Sequence, residues 1–203
     1  MKYRHLSILA AVGTIGLAAC GSHSSSLGSS ASVTTMNSNG TALSSPNTKF
    51  NTADVAFAQG MVPHHQQAVE MADIALDPMV GASDQVRKLA TGIKGAQDPE
   101  IKMMTDWLTT WGQPMQMDTS MTQTMSPTQG MMSTQEMDSL HAVKGAAFDT
   151  MWLEMMIRHH KGAISSAQTV KASGSNSDVL TLADQIIAGQ QAEISVMQAL
   201  LAK

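Results

Sequence analysis

From Phe50 to the C-terminus, apolar residues recur at helical spacing between short polar breaks. The pattern predicts four long helices, at roughly 52–76, 84–110, 135–172 and 177–202. Their ends carry start and stop chemistry. Ser83-Asp84 opens the second helix, Ser133 with Glu136 has capping-box spacing for the third, and Asn176 or Ser177 opens the fourth. Gly174 fits a stop for the third. Pro63 and Pro99 fall inside predicted helices and predict kinks there.

An internal repeat organises this region. Met61-Val62-Pro63-His64-His65-Gln66-Gln67-Ala68-Val69 matches Met156-Ile157-Arg158-His159-His160-Lys161-Gly162-Ala163-Ile164. Downstream, Ala96-Gln97-Asp98-Pro99-Glu100-Ile101 matches Gly189-Gln190-Gln191-Ala192-Glu193-Ile194, at an offset only two residues different. Two copies of one helical hairpin follow, and neither can hide its apolar face alone. Docked together they predict an all-α antiparallel four-helix bundle. The short turns lie within each copy, and a long connection, 111–133, joins them. That connection holds Met115, Met117, Met121, Met125, Met131 and Met132 among Gln, Thr, Ser, Asp, Gly and Pro, with no helical or strand period. Its methionines are therefore not expected to fill a core.

The first 49 residues read differently. Lys2 and Arg4 precede a short apolar run, 6–19, which ends Leu17-Ala18-Ala19 directly before Cys20, the single cysteine of the chain. This is the arrangement of a bacterial lipoprotein signal at 1–19, with Cys20 as the acylated first residue. Residues 20–49 are the lipidated cysteine and a Ser-rich tether with little to bury, and 50–203 form the bundle. A lipid anchor at Cys20 implies an exported protein held at a membrane surface, in the periplasm or at the cell surface. No intrachain disulfide is possible. The net charge of −4 carries no basic stripe, which argues against nucleic acid as a partner.

Of 203 residues, 18 are methionine and only seven are aromatic, a composition that suits helices. On a helix, adjacent residues point about 100° apart, so one histidine of each pair is expected to face the interior and the other a side groove. Residues three and four apart share a face. Met61 stands in that relation to His64 and His65, and Met156 to His159 and His160. Met155 lies four before His159, Met151 extends that face, and Met71 is one heptad beyond His64. Each copy thus sets thioether beside imidazole. Soft thioethers with imidazole select Cu(I) or Ag(I), whereas zinc rarely takes thioether. Met115, Met117, Met121 and Met125 of the connection are candidates for capturing the same ions. Met103, Met104, Met137 and Met197 read as core filling. Glu70 and Glu154 read as solvated, with metal contact as the alternative.

The paired-histidine segments, with Glu70-Met71-Ala72, Glu154-Met155 and Gln190-Gln191-Ala192-Glu193-Ile194, resemble the family called domain of unknown function 305, over about 50–203. The resemblance implies a ferritin-like four-helix bundle in an exported protein, often a lipoprotein, in a family that includes periplasmic proteins that bind copper and help cells tolerate it. This chain departs from symmetry where Ser165 and Ser166 stand opposite Glu70 and Met71.

The expected function is binding and buffering of copper(I), and of silver(I), without enzymatic turnover, in exchange with a copper-donor or acceptor protein. Protonation of the histidines is expected to weaken binding below about pH 6. A di-iron oxidase needs Glu-x-x-His pairs, and Glu70, Glu100, Glu154 and Glu193 are followed at that spacing by Asp73, Met103, Ile157 and Val196. The alternative is a cell-envelope interaction module whose histidines hydrogen-bond within the core.

Overall fold

The computed structural model describes residues 48–116 and 129–203. Among them lie five helices and no strand: α1 (Thr52–Leu76), α2 (Asp84–Thr110), α3 (Thr134–Ala142), α4 (Gly145–Ser173) and α5 (Ser177–Leu201). None is long and apolar enough to cross a membrane. The predicted signal, lipidated Cys20, tether, and Met117, Met121 and Met125 fall outside the described residues.

The helix starts follow their caps. Ser83 Oγ accepts from the Val86 N–H, Asn176 Oδ1 from Asp178 and Val179, and Ser133 and Glu136 close the predicted capping box. The Ser133 backbone N–H, with Arg158, holds the Glu136 carboxyl down at about 2. α1 has a second capping box, Asn51 with Asp54. Asp54 is fully buried and also accepts from the backbone of Ser175 and Asn176, which ties the start of α1 to the α4–α5 turn.

One sequence expectation changes, and another holds for a different physical reason. The third predicted helix is broken, because Val143 and Lys144 are extended and Gly145 has a φ of +61°. The Gly145 N–H donates to Val80 O at 2.9 Å and Lys144 Nζ to Met79 O at 2.9 Å. Contacts with the α1–α2 turn, remote in sequence, hold the break. Gly174 does end α4, but at φ −73°, outside the left-handed region. A Cβ there would lie 2.6 Å from Asp54 Oδ1, so packing against that carboxylate requires the glycine. Pro63 and Pro99 both sit within helices.

α1 packs along α2, α4 along α5, and α1 against α4. Their buried faces form two apolar clusters. One joins Ala68–Ala75 of α1, Val86–Ile93 of α2, Phe148–Ile157 of α4 and Ile194–Met197 of α5. The other joins Phe57–Val62, Met104–Leu108, Ala163–Val170 and Val179–Ile186. Between them each long helix contributes polar residues to one layer: His64 and His65, Gln97 and Glu100, His159 and His160, Gln190 and Glu193.

Candidate metal centre

All four histidines are buried, His64 at 3 % exposure and the other three at 0 %. The expected side-groove position for one of each pair is therefore wrong. α1 touches two other helices and α4 three, so directions 100° apart are both covered. His65 turns to α2, where Nε2 meets Glu100 Oε2 at 2.7 Å. His160 turns to α5, where Nε2 meets Glu193 Oε2 at 2.7 Å. The two hairpins thus repeat the same pair of atoms at the same distance. His64 and His159 face each other between α1 and α4, with ring centroids 3.7 Å apart.

Burial dominates the electrostatics of this inner pair. Burial, then the neighbouring His65, pushes His64 down to about 3, against a weak opposing contact from the Gln129 backbone. Burial, then His64, His160 and His65, holds His159 well below the ordinary histidine range, with the His64 backbone opposing slightly. Both rings are neutral at neutral pH. Burial therefore keeps the His64 ring unprotonated at pH 6, where an ordinary histidine is already taking up a proton.

Several ring nitrogens have no hydrogen-bond partner: Nδ1 of His64, His65 and His160, and both nitrogens of His159. Gln97 is buried with neither amide atom paired, and Gln190 Oε1 is unpaired. An unsatisfied buried polar atom costs about 1–3 kcal/mol, and natural cores hold few. A metal ion fits such atoms, because neutral imidazole nitrogen without a proton is a ligand. Among the described residues, no three His, Cys, Asp or Glu side chains are grouped to hold an ion. Any further donor to these imidazoles has to come from outside those four residue types.

The candidate methionines flank the layer on both sides. Met61 is buried in one apolar cluster, one turn before His64. Met71, Met155 and Met156 are buried in the other, and the half-buried Met151 packs against it. Met104, Met137 and Met197 are buried in the core, whereas Met103, expected to fill it, is 40 % exposed. On this register the side chain lies on the outer face of α2. Met115 is exposed. Glu70 and Glu154 are exposed, so neither reaches the layer.

The C-terminal end of the methionine-rich connection is seated over the histidines. Gln129 O lies 3.3 Å from His64 Nε2. Gly130 has a φ of +85°, and a Cβ on it would meet Arg158 O at 2.7 Å. A Cβ on Gly162 would fall 1.8 Å from Gln129 O, so only glycine lets the two backbones approach. The Gln67 amide grips both backbone groups of Met132, at 2.7 and 2.8 Å. At the other end, Gln59 Nε2 donates to Pro114 O at 2.7 Å.

Sequence reasoning did not identify Glu100, Glu193, Gln67 or Gln129 as parts of this site. A signal existed for the first two. Both recur within the second repeated segment, which the offset places opposite the histidine pairs.

The model for the domain of unknown function DUF305 matches residues 54–201. A DUF305 protein from Streptomyces coelicolor, named as a candidate secreted protein, has a similar structure with a TM-score of 0.69. It is 33 % identical over 74 % of this chain and 92 % of that one. A DUF305 fragment from Deinococcus radiodurans is 30 % identical over 75 % of this chain and 97 % of its own, with a TM-score of 0.66. The protein CopM in its Cu(I)-bound form is 30 % identical over 72 % of this chain and 94 % of its own, with a TM-score of 0.60. CopM also has Cu(II)-bound and silver-bound structures. No functionally curated protein matches the sequence.

Proposed function

The chain belongs to the DUF305 family, and from that premise we propose that it is an extracytoplasmic lipoprotein that binds and buffers copper(I) and silver(I). In this reading the long helices form a ferritin-like four-helix bundle of two docked hairpins. His64 and His159 are the central ligand pair, and His65 and His160 offer further imidazoles beside it, not one shared cluster of all four. Met61, Met71, Met151, Met155 and Met156 supply thioether from the flanking clusters, and Met115, Met117, Met121 and Met125 exchange ions with a donor or acceptor protein. Cys20 carries the anchor. The protein works by capture and release, without turnover, and contributes to copper tolerance.

The observation that carries the reading is the inner pair. His64 and His159 are neutral and buried, with tilted rings 3.7 Å apart between centroids and unpaired ring nitrogens between methionine-bearing clusters. A core histidine kept for stability would have its hydrogen bonds made. CopM, a relative with copper and silver bound, adds support from outside the chain. Copper(I) and silver(I) share the softness that favours thioether and imidazole.

A second reading has an observation of its own. The His65–Glu100 and His160–Glu193 contacts are what an interaction module with structural histidines would use. Anaerobic titration with Cu(I) against a competing chelator separates the two. Binding at sub-micromolar free copper that His64→Ala/His159→Ala abolishes supports the metal site. Absence of binding, or equal behaviour of wild type and variant, leaves the module.

A further inference from the structure

We propose that Glu100, Glu193 and the main-chain carbonyl of Gln129 are positioning groups: they hold His65, His160 and His64 as Nε2–H tautomers, so that each histidine presents the Nδ1 lone pair to copper(I). The inference rests on the metal-binding reading above.

The argument starts from what each partner can do. A carboxylate or carbonyl oxygen only accepts, so the ring nitrogen facing it must bring the proton. Glu100 Oε2, Glu193 Oε2 and Gln129 O all face Nε2, at 2.7, 2.7 and 3.3 Å. In each of the three rings the other nitrogen, Nδ1, is buried and without a partner. A proton on Nδ1 would be a buried donor with nothing to accept it, whereas a bare lone pair is the cheaper state and the ligating one. The contact is also duplicated. The second repeated segment places Glu100 and Glu193 in register with the histidine pairs of their own hairpins, although the two offsets differ. Both carboxylates keep contact with solvent, at 20 % and 26 % side-chain exposure, while their histidines have none. Each therefore reaches inward from the rim to the ring edge. Ligating histidines commonly donate their second N–H to such an oxygen, which fixes tautomer and ring orientation and raises ligand basicity.

His159 is the exception: neither of its nitrogens makes a full hydrogen bond, and the only oxygen that bears on the ring is the His64 backbone carbonyl. No carboxylate fixes its tautomer, so either nitrogen can serve as the ligating one.

Nitrogen-15 spectra of histidine-labelled full-length protein test this, first without metal and then with Cu(I) added anaerobically. The metal-free protein at pH 7.5 should show His64, His65 and His160 protonated at Nε2. Cu(I) should then move the Nδ1 resonances. An Nδ1–H tautomer at His65 or His160 before metal is added overturns the positioning roles, whether or not copper binds. The expected tautomers with no response to Cu(I) overturn the metal reading instead, and with it the purpose of the positioning. A response at Nε2 overturns the ligand assignment. Glu100→Ala with Glu193→Ala should lower Cu(I) affinity about 10–100-fold and mix the tautomers. Glu100→Gln with Glu193→Gln, which keeps an acceptor oxygen but loses the charge, should keep the tautomers and lower Cu(I) affinity by less than the alanine pair does. Unchanged affinity and tautomer in the alanine variant would sink the proposal. Should that variant fail to fold, the wild-type spectra and the glutamine variant decide.

Discussion

His65 and His160 each meet a carboxylate at 2.7 Å, whereas their chain neighbours His64 and His159 lie against one another as tilted rings with centroids 3.7 Å apart and meet no carboxylate. The residue type and the burial are the same. What differs is the direction of the ring. The outer pair points within its own hairpin, toward a helix that carries a glutamate. The inner pair points across the junction of α1 and α4, where each ring finds another ring. A fold gains little from the inner arrangement, because desolvation is not repaid by hydrogen bonds. The outer pair holds the layer in place and the inner pair keeps its chemistry available.

Removing the inner rings is the sharpest way to test that contrast. His64→Ala with His159→Ala should weaken Cu(I) binding by more than about 100-fold, beyond what removal of an outer-shell partner costs. His65→Ala with His160→Ala should instead also lower the stability of the metal-free protein, by about 1–3 kcal/mol for each histidine–carboxylate hydrogen bond removed. Chelator competition and urea unfolding on the same samples check both, and identical profiles would erase the distinction.

Acid should expose the cost of the inner pair. His64 titrates at about 3 in the fold against an ordinary 6.5, so unfolding takes up a proton between those values. Its contribution to stability is complete above pH 6.5 and falls as the pH drops toward 3. At pH 4.5, two units below the ordinary value, the loss is on the order of 2–3 kcal/mol. His64→Leu should remove that part of the pH dependence. Urea midpoints of wild type and variant at pH 7.5 and 4.5 measure it, and parallel changes contradict it.

Smaller effects are expected where the methionine-rich connection docks. Gly162→Ala places a methyl against Gln129 O and should cost about 1–3 kcal/mol. Faster hydrogen exchange at 129–132 would show that the segment has lifted from the inner pair. Gln67→Ala removes two hydrogen bonds to Met132 and should cost about 1–2 kcal/mol by thermal unfolding. Exchange unchanged in both variants would mean that this docking does not hold the segment.

The features legible along the chain were those that neighbouring residues control. Ser83, Ser133 and Asn176 cap the helices they were expected to open, because a cap needs only a side-chain oxygen and the next turn. The repeat predicted the alignment of the two histidine pairs, and the spacing of Met61 and Met156 follows from 3.6 residues per turn. The break at Val143-Lys144 was hidden because it depends on Val80, far away in sequence. Burial of both histidines was hidden because one helix's periodicity does not say how many helices surround it.

Local order, from the helix ends to the thioether one turn from each imidazole, came from forces acting within a few residues. Which ring meets a carboxylate, which meets another ring, and that Gln129 lies across His64, depended on segments brought together across 33 to 95 positions of chain. Such contacts form only when the helices dock, since side-chain direction is set by the neighbour that covers it.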